Sequence, residues 1–470
     1  MVKLMSEQAK FLEGNPLKHI AVMSLASSVG LMAVFAVDFV DMIFISMLGK
    51  AELAAAVGYA GAILFFTASF GIGMAIACGA LVARALGQGD EELARQRATN
   101  SLIFGIAFGA AFAAVVWINL ATLVGLLGAS GDTQELSVHY MQIILPSLPL
   151  MLVGMVGGAI LRAHGDARRS MNVLIVAGVV NAILDPILIF GLGLELTGAA
   201  LATVAARITM ASVVLAAIQK HHGGFAHPSV GGLAKDFSPV FAIALPAILT
   251  QLATPIGQAY VTRSMAEFGE EAVAGMAIVG RLTPVAFAVL FALSGAVGPI
   301  IGQNAGAKNE ARVRATFRDA LMFTAAVTVL VSLILFLLRP SLDWLFQLND
   351  SDVARTLVFL FAGPLSLLWF FNGVIFVTNA AFNNLSHPFY STVTNWGRHT
   401  LGTIPTVMVG GYLFGAPGVL IGQAVGGVVF AGISLLLVRR VLNETAGQAP
   451  APSDSFARQG RLHSLFHLRR

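Results

Sequence analysis

The stretch GALVARALGQGDEELARQRAT, residues 79–99, has a second copy in GPIIGQNAGAKNEARVRATF, residues 298–317. At an offset of 219, Gly79, Gly87, Glu91 and Arg95 fall on Gly298, Gly306, Glu310 and Arg314. A later pair repeats the relation: GAALATV from Gly198 falls on GVLIGQA from Gly418, at an offset of 220. Two matches at nearly equal offset, each at the same place in its half, make the chain a tandem of two similar units.

What each unit is follows from composition. Of 470 residues, 57% are hydrophobic and 11% charged, against roughly 25% charged in soluble domains. With a mean hydropathy of +0.82, most of the surface has to face lipid. A membrane-spanning helix needs about 20 mostly apolar residues. Twelve such runs are predicted: 16–48, 52–83, 98–126, 134–162, 169–192, 197–219, 237–266, 272–304, 314–338, 352–382, 389–412 and 417–438. The first is too long for a cleaved signal and also holds Asp38 and Asp41, so it is read as a membrane helix. The fold class is an all-α membrane protein of twelve helices in two six-helix bundles. Six is even, so both halves cross with the same orientation, which implies a pseudo-two-fold axis along the membrane normal and a substrate path between the halves.

Basic residues orient the chain. With both termini on the cytoplasmic side, 22 of the 28 Lys and Arg fall in cytoplasmic segments, Arg398 counted among them. This is the positive-inside pattern, so the net charge of +4 is a topology signal and not a nucleic-acid footprint. The expected organisation is an N-terminal lobe over 1–219, a cytoplasmic linker over 220–236, a C-terminal lobe over 237–441 and a disordered cytoplasmic tail over 442–470.

The remaining chemistry is sparse. One cysteine, Cys78, excludes an internal disulfide or multi-Cys cluster. His221, His222 and His227 lack ligand spacing on a helix. No HExxH, GxSxG or Walker loop is present, so neither enzymatic hydrolysis nor ATP drive is expected, and no cofactor. Ionisable groups within spans are costly and therefore functional candidates. Asp38 and Asp41 stand one turn apart in the first span. Asp185 lies in the fifth, with Asn181 one turn before it on the same face and Pro186 after it. Thr203 in the sixth span can add a hydroxyl. Hard oxygen donors without His or Cys suit Na⁺ or a proton. The bland alternative is that Asn181 and Asp185 bond neighbouring helices and Pro186 is a kink.

The second half has no such carboxylates: Asp185 corresponds to Pro405, Asn181 to Leu401, and Asp41 falls near Tyr260. Gln251, Gln258, Tyr260, Asn372 and Asn379 are candidates for a substrate cavity, as are Asp38, Phe35, Phe39, Phe65 and Phe66 in the first half; interhelical bonding competes for the amides. Arg207 and Arg281 are expected to snorkel to an edge.

Four segments together resemble the multidrug and toxic compound extrusion (MATE) family: VDMIFISMLG (40–49), the ARALGQGD loop, LRAHGDARRSM (161–171) and NAILDP through TGAALAT (181–203). The resemblance covers the chain to about residue 440. It implies a V of two six-helix bundles and efflux of cationic or amphipathic small molecules against Na⁺ or H⁺, by a single chain in the bacterial inner membrane. It further implies the branch with an N-lobe cation site (DinF-like), whose motif Asn–x₃–Asp–x₁₇–Thr matches Asn181, Asp185 and Thr203, joined by Asp41. A second branch keeps its acids in the seventh and tenth helices, where this chain has Gln251 and Asn372. Some relatives bend the first helix at a proline; here Ala26 is the repeat mate of Pro246, and Pro16 stands only at the helix start. The alternative function is a lipid-linked precursor flippase, which the few basic residues in the spans disfavour.

Overall fold

In lipid every backbone N–H and C=O has to be satisfied internally, so each long apolar run becomes a helix. The structure is a computed structural model and describes residues 9–346, 348 and 352–446; among these the regular structure is entirely helical. The first lobe consists of α1 (Pro16–Met47), α2 (Ala51–Gly87), α3 (Glu91–Ile118), α4 (Gly131–Ala163), α5 (Ala167–Gly191) and α6 (Glu195–His221). The second begins with α7 (Val230–Ala266), α8 in two stacked pieces (Glu270–Ala286 and Ala288–Gly306), α9 (Glu310–Leu337) and α10 (Asp352–Asn384).

A 57-residue helical stretch, Pro388–Glu444, completes it. At 1.5 Å per residue it would run about 85 Å, far beyond a hydrocarbon core of about 30 Å. It reverses at Gly415 (φ 64°, ψ −145°), which divides it into α11 (388–414) and α12 (416–446). The two arms close like a zip. A Cβ on Gly410 would come within 2.1 Å of the Gly418 carbonyl oxygen, and one on Gly402 within 2.9 Å of the Gly426 oxygen. Between them Thr406 Oγ1 donates to the Gly422 oxygen at 2.7 Å. Among the described residues there are thus twelve spans in two bundles.

The repeat is visible in the backbone. Helix α3 and helix α9 share both ends at an offset of 219, and Asp90 and Asn309 occupy the same capping position before them. Left-handed residues recur with it: Gly89 with Lys308, and Glu195 with Gly415. Ser229 caps α7, so the connection between lobes is non-helical only over 222–229, and helix resumes at Val230. Buried Asp236, in the first turns of α7, accepts from Asn100 Nδ2 at 2.8 Å and ties the start of the second lobe to α3. Of the segment predicted as a tail, 442–446 continues α12, and 447–470 lies outside the described residues. Helix α1 carries no proline beyond Pro16 at its first turn, as the sequence implies.

The lobes meet at the end that carries the basic loops, and they meet symmetrically. A Cβ on Gly87 would come within 1.9 Å of the Gln303 oxygen, and one on Gly306 within 2.1 Å of the Arg84 oxygen. Arg84 Nη2 donates to the Asn384 carbonyl at 2.5 Å, while its repeat mate Gln303 donates through Nε2 to the Ala163 carbonyl at 2.8 Å. A strap over residues 10–14 crosses this seam: Phe11 N donates to Gln303 Oε1, and Arg312 donates to the carbonyls of Phe11, Glu13 and Gly14. At the opposite end the side-chain bonds join residues of one lobe, as with Lys50 and Glu195 or Arg355 and Asp343.

Candidate functional site

The carboxylates of the first lobe converge, Asp41 six residues before the end of α1 at Met47 and Asp185 six residues before the end of α5 at Gly191. Asp185 is fully buried in α5, and its Oδ2 accepts from Asn181 Nδ2 at 2.8 Å, the i, i+4 contact that helix geometry dictates. Pro186 has no N–H to continue the ladder, and a π-turn follows over Ile187–Gly191. Helix α6 packs directly on that turn, because Gly198 leaves no Cβ to strike the Leu188 carbonyl. Asp41 of α1, half-buried, approaches Asp185 closely enough for one carboxyl to hydrogen-bond the other when it carries a proton. One oxygen of each, Asp41 Oδ1 and Asp185 Oδ1, is buried with no hydrogen-bond partner.

Two further groups complete the cluster. Tyr140 of α4 is buried within electrostatic reach of both acids and close to Thr203. The Thr203 hydroxyl donates to the Ala199 carbonyl at 3.0 Å and stands beside Tyr140. Tyr140 was not singled out from the sequence. An aromatic residue in an apolar run has no periodicity of its own, and only the packing of α4 against α6 brings it to the acids. These groups offer carboxylate, amide, phenol and hydroxyl oxygens at one depth, a donor set that fits a proton or Na⁺.

The other candidates separate. Asp38 lies one turn from Asp41 but is exposed, and within a span an exposed carboxylate has to face water and not lipid. Phe35 is half-buried, and Phe39 and Phe65 are exposed, at 53% and 42%. In the second lobe, Gln251 and Tyr260 are half-buried on α7, and Tyr260 packs against the apolar core. Asn372 does not stand free: its Oδ1 accepts from Arg398 Nη1 at 2.6 Å. Interhelical bonding describes Gln258, which accepts from Gln423 at 3.1 Å, and Asn379, which accepts from Asn395 at 3.1 Å.

Two arginines are not where the sequence put them. Arg207 does not snorkel; fourteen residues from the end of α6, it is too deep to reach an edge. Its Nη1 donates to the Ile144 carbonyl (3.3 Å) and Ser147 Oγ (3.0 Å), satisfying the break that Pro146 makes in α4. Arg398 is not in a cytoplasmic segment; it sits ten residues into α11, against α10.

Comparison with known proteins agrees with this architecture. The MatE family model matches residues 26–187 and 246–408, one block in each lobe. The chain is 28% identical over 431 residues to a FAD transporter of Shewanella oneidensis, covering 89% of this chain and 93% of that one. It is 24% identical to the multidrug export protein MepA of Staphylococcus aureus, covering 88% and 92%. Among solved structures it resembles the Vibrio cholerae MATE transporter VcmN, at a TM-score of 0.86 and 25% identity over 91% of this chain and 97% of that one. The chain belongs to the MatE family, and it is a multi-pass membrane transporter, not an enzyme.

Proposed function

We propose that the protein exports amphipathic small molecules, cationic ones among them, in exchange for H⁺ or Na⁺ bound at Asp41 and Asp185. It works as a single chain in a bacterial inner membrane with its basic loops in the cytoplasm. The observation that carries this reading is the pair of unsatisfied carboxylate oxygens, Asp41 Oδ1 and Asp185 Oδ1, at one buried site. Two carboxylates in a low-dielectric interior cannot both ionise without a counter-charge, so the pair takes up a proton or shares a metal cation. Asn181 holds Asp185 in place for that uptake, with Tyr140 buried beside both acids.

Exchange requires the cation and the cargo to favour different states. Occupation of the acid pair neutralises charge between α1, α5 and the α4–α6 face, which changes how these helices pack and releases cargo to the outside. The seam closed at the basic end corresponds to the outward-open state in this cycle. MepA supports drug efflux and the FAD transporter supports a larger, anionic cargo, so kinship alone does not select the substrate.

The test is resistance to ethidium and norfloxacin in an efflux-deficient strain, with protein level measured alongside. Asp41→Asn and Asp185→Asn should each return resistance to the vector level at unchanged expression; full resistance in both overturns the acid-pair mechanism. In proteoliposomes, an imposed Na⁺ gradient at constant pH, compared with a pH gradient without Na⁺, identifies the coupling ion.

A further inference from the structure

In the second lobe the buried charge has the opposite sign. Arg398 lies about 15 Å along α11 from its basic end, farther than an arginine side chain reaches. Phe389 and Val393 mark the exposed apolar side of α11, and Arg398, two and a half turns beyond Phe389, projects from the other side. Its two terminal nitrogens are held. Nη1 donates to Asn372 Oδ1 on α10 at 2.6 Å, and Nη2 meets His399 Nε2 at 2.7 Å. Arginine only donates, so His399 Nε2 accepts and the ring proton sits on Nδ1. The ring is pinned in turn against Gly257 of α7, where a Cβ would fall 2.4 Å from Nδ1.

Both partners are neutral. Every Asp and Glu between 237 and 441 lies within 267–271, 310–319 or 343–352. The one nearest Arg398 in depth, Asp319, is already paired with Arg318 at 3.0 Å. An unpaired charge in a span costs several kcal/mol, and such groups mark substrate or ion paths. Arg398 is half-buried, and among the described residues its bonds run through Nη1 and Nη2, with none from Nε. A fork fixed at two corners with a donor left unused is the geometry that receives a carboxylate or phosphate.

We infer that Arg398, positioned by Asn372 and His399, is the second-lobe subsite for an anionic group, a carboxylate or a phosphate ester, on the transported molecule. The inference rests on the exporter reading and sharpens its substrate class. With acids in one lobe and an arginine in the other, the protein takes anionic or zwitterionic amphipaths as well as cations.

The test is equilibrium binding to the full-length protein in lipid nanodiscs with three probes. Norfloxacin carries a carboxylate and an ammonium, FAD carries a pyrophosphate, and ethidium is a cation without an anionic group. Arg398→Gln should weaken norfloxacin, FAD or both at least ten-fold, about 1.4 kcal/mol, while ethidium stays within about two-fold. Arg398→Lys should fall between, since it keeps the charge and loses the fork. Loss for norfloxacin alone assigns a carboxylate site, loss for FAD alone a phosphate site, and loss for both a shared one. Equal loss for all three probes, or for none, overturns the proposal, as does a wild-type protein that binds ethidium and neither anionic probe. Should Arg398→Gln fail to fold, decarboxylated norfloxacin and FAD on the wild-type protein decide. The expected result is at least ten-fold weaker binding than norfloxacin for the decarboxylated drug, or competition between FAD and norfloxacin; equal binding with no competition overturns it. Because binding needs no gradient, a selective loss here together with intact resistance in Asp41→Asn and Asp185→Asn would retain the subsite and discard the acid-pair coupling.

Discussion

At the scale of single residues, the loop between α4 and α5 shows how burial and hydrogen bonding oppose each other. Burial pushes His164 down to about 4, so its ring is neutral in the fold at pH 7. Burial works to raise Asp166 as well, but hydrogen bonds from His222 and Arg169 outweigh it and hold the carboxyl well below the usual range. The two groups therefore act in different pH windows. Unfolding frees His164 to titrate near 6.5, so its contribution is full above pH 6.5 and is lost as the pH falls from 6.5 towards 4. The Asp166 contribution is present above its unfolded value near 3.9 and fades only below it. Apparent melting temperature measured against pH in detergent should fall between pH 6.5 and 4 for the wild type. His164→Gln should flatten that slope and leave the acid limb below pH 4 in place.

At the scale of elements, the decisive feature is the hairpin of α11 and α12. Hydropathy marks two apolar runs here, but the helix passes through both with little polar punctuation, and the reversal rests on one residue. Gly415 adopts a backbone conformation that a side chain strains by about 1–3 kcal/mol. Gly415→Ala should lower the apparent melting temperature, whereas Gly427→Ala, on α12 with open space around its Cβ position, should not. Equal melting temperatures for Gly415→Ala and the wild type would mean that the zip of Gly402, Gly410, Gly418 and Gly426 sets the reversal by itself. The same helices explain why Arg398 is misplaced by a count of loop charges. Its neighbours in sequence, Gly397 and His399, resemble a loop, and only the contact with Asn372 of α10 shows it inside the bundle.

At the scale of the whole molecule, the repeat is also the seam. Gly87 and Gly306, equivalent in the two halves, each press on a carbonyl of the other lobe, so one pair of contacts closes the basic end around a pseudo-two-fold axis. Both contacts are with backbone, which cannot move aside as a flexible side chain does. Gly87→Leu or Gly306→Leu should hold the basic end open. With spin labels at Gln88 and Ala307, both exposed and equivalent in the repeat, the distance distribution should shift to longer values in either variant. An unchanged distribution would place the closing contact elsewhere, with the strap held by Arg312 the next feature to remove.

Much of this could be read in the amino-acid sequence. Apolar run lengths, loop charge and the 219-residue offset determined twelve spans in two parallel lobes, because lipid leaves the backbone no alternative to helices and the repeat imposes one frame on both halves. The Asn181–Asp185 contact was legible too, since four residues of helix settle it. Tyr140 joining the acids, Arg207 satisfying the break in α4, and Arg398 lying bare of acids in the second lobe were decided by tertiary packing. Each depends on which helix stands opposite, and period and composition describe the face of a helix but not its neighbour. The carboxylates that drew attention first remain the heart of the first lobe, and the structure sets Arg398 against α10 in the second.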